Sequence, residues 1–360
     1  MDDVGILKGL LEAYSPSGHE KGSVDFFVGA AQELGFLGEI DGAGNGIAAI
    51  GSGRPSVMFL GHVDTVEGAL PVKVSDGRIY GRGACDAKGP LAAALISAAS
   101  HRGPGEIIVV AAVGEEQDSR GSRFLVSRHN PDFLIVGEPS GWSGVTIGYK
   151  GSLSLELSFD GERTHITAPV ATTVEAALAF LKRLELFCER NRGPSAFSSL
   201  SAKIHTIETH RHDGKEHVDV GVNFRLPPNV KSADVVQFLE KEEPAVRYRV
   251  VDRSEAVEVD RANEVVRSLC LGIRRNGGRP TLLRKLGTAD LNVVAQSWRC
   301  PAAAYGPGDS HLDHTDAENV QIAEFRKSIR VLESAFGNLA ANAKQQEKNL
   351  LPVQNSPRVV

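Results

Sequence analysis

The sequence predicts an α/β protein: a catalytic domain with a mostly parallel sheet flanked by helices, interrupted by a smaller α+β domain. Three observations predict it. Short, wholly apolar runs alternate with helix-like segments in the first part of the chain. Near residue 146 the pattern changes to strict apolar–polar alternation, the mark of a sheet wetted on one face. From about Ala262 the first pattern returns.

The elements follow in order. Val24–Leu34 has helical spacing, and Val57–Leu60, ending at Gly61, reads as a strand buried on both faces. Leu91–Ala99 is Ala-rich and helical. Ile107–Val113 and Phe133–Val136 are the second and third buried strands. Leu153, Leu155, Leu157 and Phe159 then alternate with Ser154, Glu156, Ser158 and Asp160. Val174, Ala177, Leu178, Leu181, Leu184 and Cys188 recur at helical spacing. Strand-like runs at Ala202–Ile207 and Val218–Phe224 and a short helix, Ala233–Leu239, complete the inserted pattern. A helix over Ile322–Phe336 closes the fold. The expected boundaries are therefore 1–145 with 260–338 for the catalytic domain and 146–259 for the insert. The polar tail, 339–360, is expected to be disordered.

Composition narrows the function. With 360 residues, 41% of them apolar and 24% charged, the chain can bury a core without disulfides or a structural metal. Forty basic against 45 acidic side chains give −5, which argues against a general nucleic-acid binder. The four cysteines form no CxxC pair and suit a reducing compartment. Met1-Asp2-Asp3-Val4 lacks a signal peptide's basic start, and runs such as Ile107–Val113 fall far short of the ~20 residues that span a bilayer. A soluble cytoplasmic protein with no membrane partner is expected.

Five segments place acids and histidines at predicted strand ends, where α/β sheets bind ligands. They are Gly61-His62-Val63-Asp64, Gly83-Ala84-Cys85-Asp86-Ala87-Lys88-Gly89, Gly114-Glu115-Glu116, Gly137-Glu138-Pro139 and Gly308-Asp309-Ser310-His311-Leu312-Asp313-His314. Singly each has an ordinary reading: a surface turn, a helix cap, a solvated loop. Together they would set imidazoles among several carboxylates, which is unfavourable without a cation between them. Mixed N and O donors without thiolates suit zinc and its first-row neighbours. Two histidines with three or more carboxylates suffice for two ions if one carboxylate bridges. In an extended chain Glu115 and Glu116 point to opposite sides, so the two take different roles.

In this order and spacing the five segments resemble the M20 family of dinuclear metallopeptidases and deacylases, over nearly the whole chain apart from the tail. Ser15-Pro16-Ser17-Gly18, Gly287-Thr288-Ala289-Asp290 and Tyr305-Gly306-Pro307-Gly308-Asp309 look like one branch of it. That branch comprises the enzymes of lysine and arginine biosynthesis that remove an acyl group or acyl carrier from an amine, and the likeness is greatest to the hydrolases acting on lysine or ornithine attached to an amino-group carrier protein. The resemblance implies that His62 and Glu138 hold one metal and Glu116 and His314 the other, with Asp86 bridging. It implies Asp64 orienting His62 and Glu115 as general base. His314-Thr315-Asp316-Ala317-Glu318 fits the family's spacer after its last histidine, and His311 does not. Gly161-Glu162-Arg163-Thr164-His165-Ile166 resembles the lid motif whose histidine reaches the partner's active site in dimeric relatives, although the serine usual after it is Ile166 here. Arg225, in Asn223-Phe224-Arg225-Leu226-Pro227, looks like the lid arginine that holds a substrate carboxylate, and Asp290 is a candidate for the substrate's ammonium. The implied cofactors are two divalent ions, Zn2+ with Co2+ as the alternative. The implied partners are an acidic carrier protein bearing the substrate, or else a small N-acyl amino acid, and a second copy of the chain in a homodimer. Acetylornithine or acetyl-lysine deacetylase and dipeptidase are the alternative activities within the family.

Two basic stretches could meet an acidic carrier: Arg274, Arg275, Arg279, Arg284 and Lys285, and Lys182, Arg183, Arg190 and Arg192. Rival signals fail. Gly83–Lys88 lacks the Gly-Lys-Ser/Thr ending of a phosphate loop, and Gly42–Gly46 lacks the GxGxxG spacing. Neither Ser140 nor Ser310 sits in a nucleophile elbow.

Overall fold

The central strands form because their residues can be buried on both faces at once. Val57, Met58, Phe59 and Leu60 are fully buried, as are Val109 to Ala112, and parallel strands covered by helices need such continuous apolar runs. The computed structural model describes the backbone of residues 1–165, 167–243 and 245–350 and, of these, the side chains as far as residue 341. Contacts divide the chain into two compact units: Met1–Ile147 with Val259–Leu283 and Gln296–Val360, and Gly148–Glu258 with Arg284–Ala295.

In the first unit the main sheet runs in the order Leu37–Ile40, Gly46–Ser52, Gly105–Ala112, Ser56–His62, Phe133–Gly137, Ala302–Ala304, Gly144–Tyr149. The four strands from Gly105–Ala112 to Ala302–Ala304 are mutually parallel. Gly46–Ser52 and Gly144–Tyr149 flank them antiparallel, so the sheet is mixed with a parallel centre. Helices Asp3–Glu12, Lys21–Glu33, Lys88–Ala99, Glu264–Arg275 and Ile322–Leu350 cover it. Lys88–Ala99 is apolar all round and almost wholly buried, as a helix between a sheet and other helices must be. Ser97 Oγ donates to Ile329 O across the seam with the last helix, at 2.9 Å.

In the second unit Ser201–His212, Lys215–Leu226, Gly151–Glu162 and Arg247–Ser254 form an antiparallel sheet in that order. Its dry face carries Leu153, Leu155, Leu157 and Phe159, packed with Phe180 and Leu184 of helix Thr173–Arg190 and Phe238 and Leu239 of helix Ser232–Glu242. Thr172 opens the first of these helices with a capping box: Glu175 N–H donates to Thr172 Oγ1 at 3.2 Å and Thr172 N–H to Glu175 Oε2 at 2.8 Å.

Two expectations are corrected. Residues 284–295 were expected in the catalytic domain and fall in the second unit, where Asn292 Nδ2 donates to Lys150 O at 3.1 Å and Glu255 O at 2.8 Å. The closing helix runs Ile322–Leu350, so residues 339–350 are helical where disorder was expected. Leu339 and Ala340 are buried, and the segment consists mainly of good helix formers with no proline before Pro352. Residues 351–360 of the expected tail lie outside the described residues. Among the described residues no helix is long and apolar enough to cross a membrane.

Candidate metal centre

The four parallel strands finish level with one another. His62 is in register with Ala112, and Gly61 with Gly137. Whatever follows each strand is therefore delivered to one place. Ser56–His62 ends on His62 itself, with Asp64 two residues on. Gly105–Ala112 is followed by the turn that carries Glu115 and Glu116. Phe133–Gly137 is followed directly by Glu138, and Ala302–Ala304 leads into the loop that carries His314. Asp86 comes from the loop before helix Lys88–Ala99.

The Glu115 turn is built on Gly114, whose φ of +75 is open to glycine and costly for other residues. Its carbonyl accepts the N–H of Asp118 at 3.0 Å and of Ser119 at 2.6 Å, which closes the turn. The loop's two acids are held from the other side by Asp64. That carboxylate is fully buried and accepts the Glu115 N–H at 3.1 Å on Oδ1 and the Glu116 N–H at 3.1 Å on Oδ2. Ser17 Oγ donates to the same Oδ2 at 2.7 Å.

His62 Nδ1 lies 3.0 Å from Asp64 O and 3.6 Å from Asp64 Oδ1, which turns Nε2 toward Asp86 Oδ1 at 3.1 Å. His314 Nε2 lies 3.2 Å from Asp86 Oδ2 and 2.9 Å from Glu116 Oε1. Asp86 thus stands between the two rings, one oxygen to each. Glu115 Oε2 is 4.0 Å from His62 Nε2. Three groups each bring donor atoms within 4.8 Å of one another: His62 with Asp86 and Glu138, Asp86 with Glu116 and His314, and His62 with Glu115 and Glu116. His314 has φ +62, a left-handed conformation uncommon for a residue with a Cβ, and it aims the ring into the cluster. His311, the rival histidine, is exposed, and its N–H donates to Asp309 Oδ1 at 3.0 Å.

The electrostatics are those of an excess of negative charge. Burial opposes charging the His62 ring, yet the hydrogen bonds to Asp64 and Asp86 and the charge of Glu115 outweigh it and hold its pKa well above the ordinary value. Asp86 and Glu116 push His314 up to about 10. Carboxylates and imidazoles converging with their Nε2 and oxygen atoms, with no thiolate, form the donor set that zinc and its first-row neighbours take. The residues present fit the metal that the sequence implies: each ring faces carboxylate oxygens across a gap that a divalent cation would neutralise.

His165, Arg225 and Asp290 belong to the second unit. His165 is exposed, with Nδ1 2.7 Å from Thr167 Oγ1. Arg225 is half-buried, paired across the sheet with Ser152 and Ser201. Asp290 is buried and begins the short helix Asp290–Val294. Members of the basic stretches are already engaged: Arg183 pairs with Glu243 at 2.6 Å, Arg284 with Glu258 at 2.7 Å, and Arg275 Nη1 donates to Ser334 Oγ at 3.2 Å. Nothing in the sequence points to Arg82 or to the part played by Ser17. Glu318 is the one further residue with a sequence signal, the acid four positions after His314.

A family model described as peptidase family M20/M25/M40 matches residues 58–338. A Thermococcus kodakarensis protein provisionally named LysW-lysine/LysW-ornithine hydrolase is 38% identical over 92% of this chain and 90% of its own. The LysW-lysine hydrolase of Deinococcus radiodurans is 32% identical over 93% of this chain and 96% of its own. Among solved structures, the aminopeptidase PepT of Bacillus cereus superposes with a TM-score of 0.78 at 19% identity, covering 94% of this chain and 98% of that one.

Proposed function

The chain belongs to peptidase family M20/M25/M40, and from that premise we propose a two-metal amidohydrolase that releases lysine or ornithine from an amino-group carrier protein in the cytoplasm. The observation that carries the reading is Asp86 standing between His62 and His314, so that two donor groups share one carboxylate. Near-full-length relatives named for the LysW conjugates of lysine and ornithine supply the substrate class.

In this reading His62, Asp86 and Glu138 would hold one zinc ion, and Asp86, Glu116 and His314 the other. When bound, the ions supply a water of lowered pKa and polarise the amide carbonyl. Glu115 takes the attacking water's proton and returns it to the leaving α-amine. Asp64 acts on three of these groups at once: it orients the His62 ring and pins the backbone of Glu115 and Glu116. Arg225 is the candidate for the carboxylate of the departing amino acid and Asp290 for its side-chain ammonium. The enzyme works as a homodimer in which His165 of the partner subunit stabilises the developing oxyanion.

The test is a substrate panel. Protein stripped by chelator and reloaded with zinc or cobalt is offered carrier-linked lysine, carrier-linked ornithine, acetyl-lysine, acetyl-ornithine and dipeptides. Turnover should vanish on stripping, return on reloading and favour the carrier conjugates. Full activity after exhaustive demetallation overturns the metal mechanism. Cleavage of acetyl substrates or dipeptides with the conjugates untouched overturns the carrier reading.

A further inference from the structure

The segments that bring Asp86 and His314 are far apart in the chain, and each holds the other's backbone. Glu318 follows His314 by four residues and is only 1% exposed. Its Oε1 accepts the N–H groups of Gly83 at 3.0 Å, Cys85 at 3.0 Å and Asp86 at 3.2 Å. In the opposite direction Arg82, at the head of the Asp86 loop, donates from Nη1 to Thr315 O at 2.9 Å, one residue past His314. Its Nε donates to Gly68 O at 3.0 Å, and Nη1 pairs with Glu318 Oε2 at 3.1 Å. The exposed Asp316 adds an oxygen 3.8 Å from Nη2.

We infer that Arg82 and Glu318 are positioning residues for the metal centre, a reciprocal brace that fixes the separation of Asp86 and His314. Neither is among the donor groups of the centre. They act through the two backbones. Glu318 holds the loop that presents Asp86, and Arg82 holds the turn that presents His314. A charged acceptor taking three amides makes strong, directional bonds, and the planar guanidinium fork links carbonyls and carboxylate in one geometry. A buried ion pair retained only for stability would need none of the three amide bonds nor the bond to Thr315, and such pairs are weak contributors to stability in any case.

This inference rests on the metal reading above, and the experiment separates the two. The variant is Glu318→Gln, which keeps the shape and removes the charge. Zinc affinity is measured by chelator competition, the geometry by the visible absorption of the cobalt-loaded protein, and stability by thermal melting without metal. The reference is Leu339→Ala, a core truncation that lowers stability without touching the brace. Partners that orient metal-binding side chains are typically worth about 10–100-fold in affinity. Glu318→Gln should therefore weaken zinc binding about 10–100-fold and alter the cobalt spectrum, while Leu339→Ala keeps both unchanged at a comparable loss of melting temperature. Wild-type affinity and spectrum in Glu318→Gln, or equal losses in Leu339→Ala, overturn the brace. Failure of the wild-type protein to bind zinc instead overturns the metal reading. Should Glu318→Gln not fold, Arg82→Lys, which keeps the charge and loses the fork, takes its place in the same three measurements: weakened zinc binding with an altered spectrum supports the brace, and wild-type values overturn it.

Discussion

Replacing Asp64 by Asn tests how much of the centre hangs on one carboxylate. The Asp64 side chain accepts Glu115 N–H on Oδ1 and Glu116 N–H and Ser17 Oγ–H on Oδ2. Asn keeps the volume and replaces one oxygen with a donor. If the amide nitrogen takes the place of Oδ1, it faces the Glu115 N–H and the His62 Nδ1 side of the ring. If it takes the place of Oδ2, Ser17 can rotate and accept from it, but the Glu116 N–H then faces a donor. The second orientation is the cheaper, and it still strands one buried amide. That costs about 1–3 kcal/mol. At ~2–4 °C per kcal/mol for a unit of this size, the metal-free protein should melt roughly 2–12 °C lower. The stranded amide belongs to Glu116, so metal affinity should fall by about 10–100-fold as that carboxylate drifts. Differential scanning calorimetry and chelator competition read the two effects. The double variant Ser17→Ala/Asp64→Asn should melt lower than Asp64→Asn alone, because a methyl group in place of the Ser17 hydroxyl cannot accept from the Asn amide. An Asp64→Asn protein with wild-type melting and wild-type zinc affinity would refute the reasoning.

Glu115→Gln should retain both metals and lose on the order of 10²–10⁴-fold in turnover, whereas Glu116→Gln should lose metal first; metal analysis beside single-turnover kinetics tells the two apart, and the reverse pattern means the roles are exchanged. Mixing His165→Ala with Glu115→Gln protein should restore partial activity after subunit exchange, because some heterodimers then carry one intact composite site; no recovery after verified exchange removes the cross-subunit role. Hydrolysis of the carrier conjugate should fall steeply with ionic strength while acetyl-lysine hydrolysis barely responds, since steering of an acidic partner is screened by salt; equal responses leave the basic stretches without that task.

What is legible in the sequence follows from which signals are local. The runs Val57–Leu60, Ile107–Val113 and Phe133–Val136 read as strands because a strand buried on both faces cannot carry polar residues. The alternation from Leu153 to Phe159 reads as a half-wet strand for the complementary reason. Gly46–Ser52 and Arg247–Ser254 carry no such signal. The first is a short glycine-flanked edge of the apolar centre, and the second is mostly exposed, so neither shows a clear period. The clustering of His62, Asp86, Glu116, Glu138 and His314 is expected from their placement at strand ends and from the family pattern. The bonds that support them are not. Glu318 meets the amide of Gly83, and Ser17 the carboxylate of Asp64, across separations of 235 and 47 residues that no spacing rule covers. Lys88 shows the same limit. In sequence it is the lysine of a failed phosphate loop, yet it lies fully buried with Nζ donating to Leu10 O at 2.9 Å and Ala13 O at 2.8 Å, finishing the first helix.

The spread of these side chains over separate segments of the chain also sets the order in which they are made during translation. His62, Asp86, Glu116 and Glu138 are synthesised before the second unit begins, and His314 only after residues 148–258 have been made. At about 5–20 residues per second, that interval is on the order of 10–30 s. Throughout it the nascent chain lacks both His314, the second ring beside Asp86, and Glu318, which accepts from Gly83. Arrival of the strand Ala302–Ala304 and its following loop supplies the second ring and the grip on Gly83, Cys85 and Asp86 together. In the proposed reading, metal capture is thereby a late event in the birth of the chain, and a truncated product that stops within the second unit should bind metal weakly.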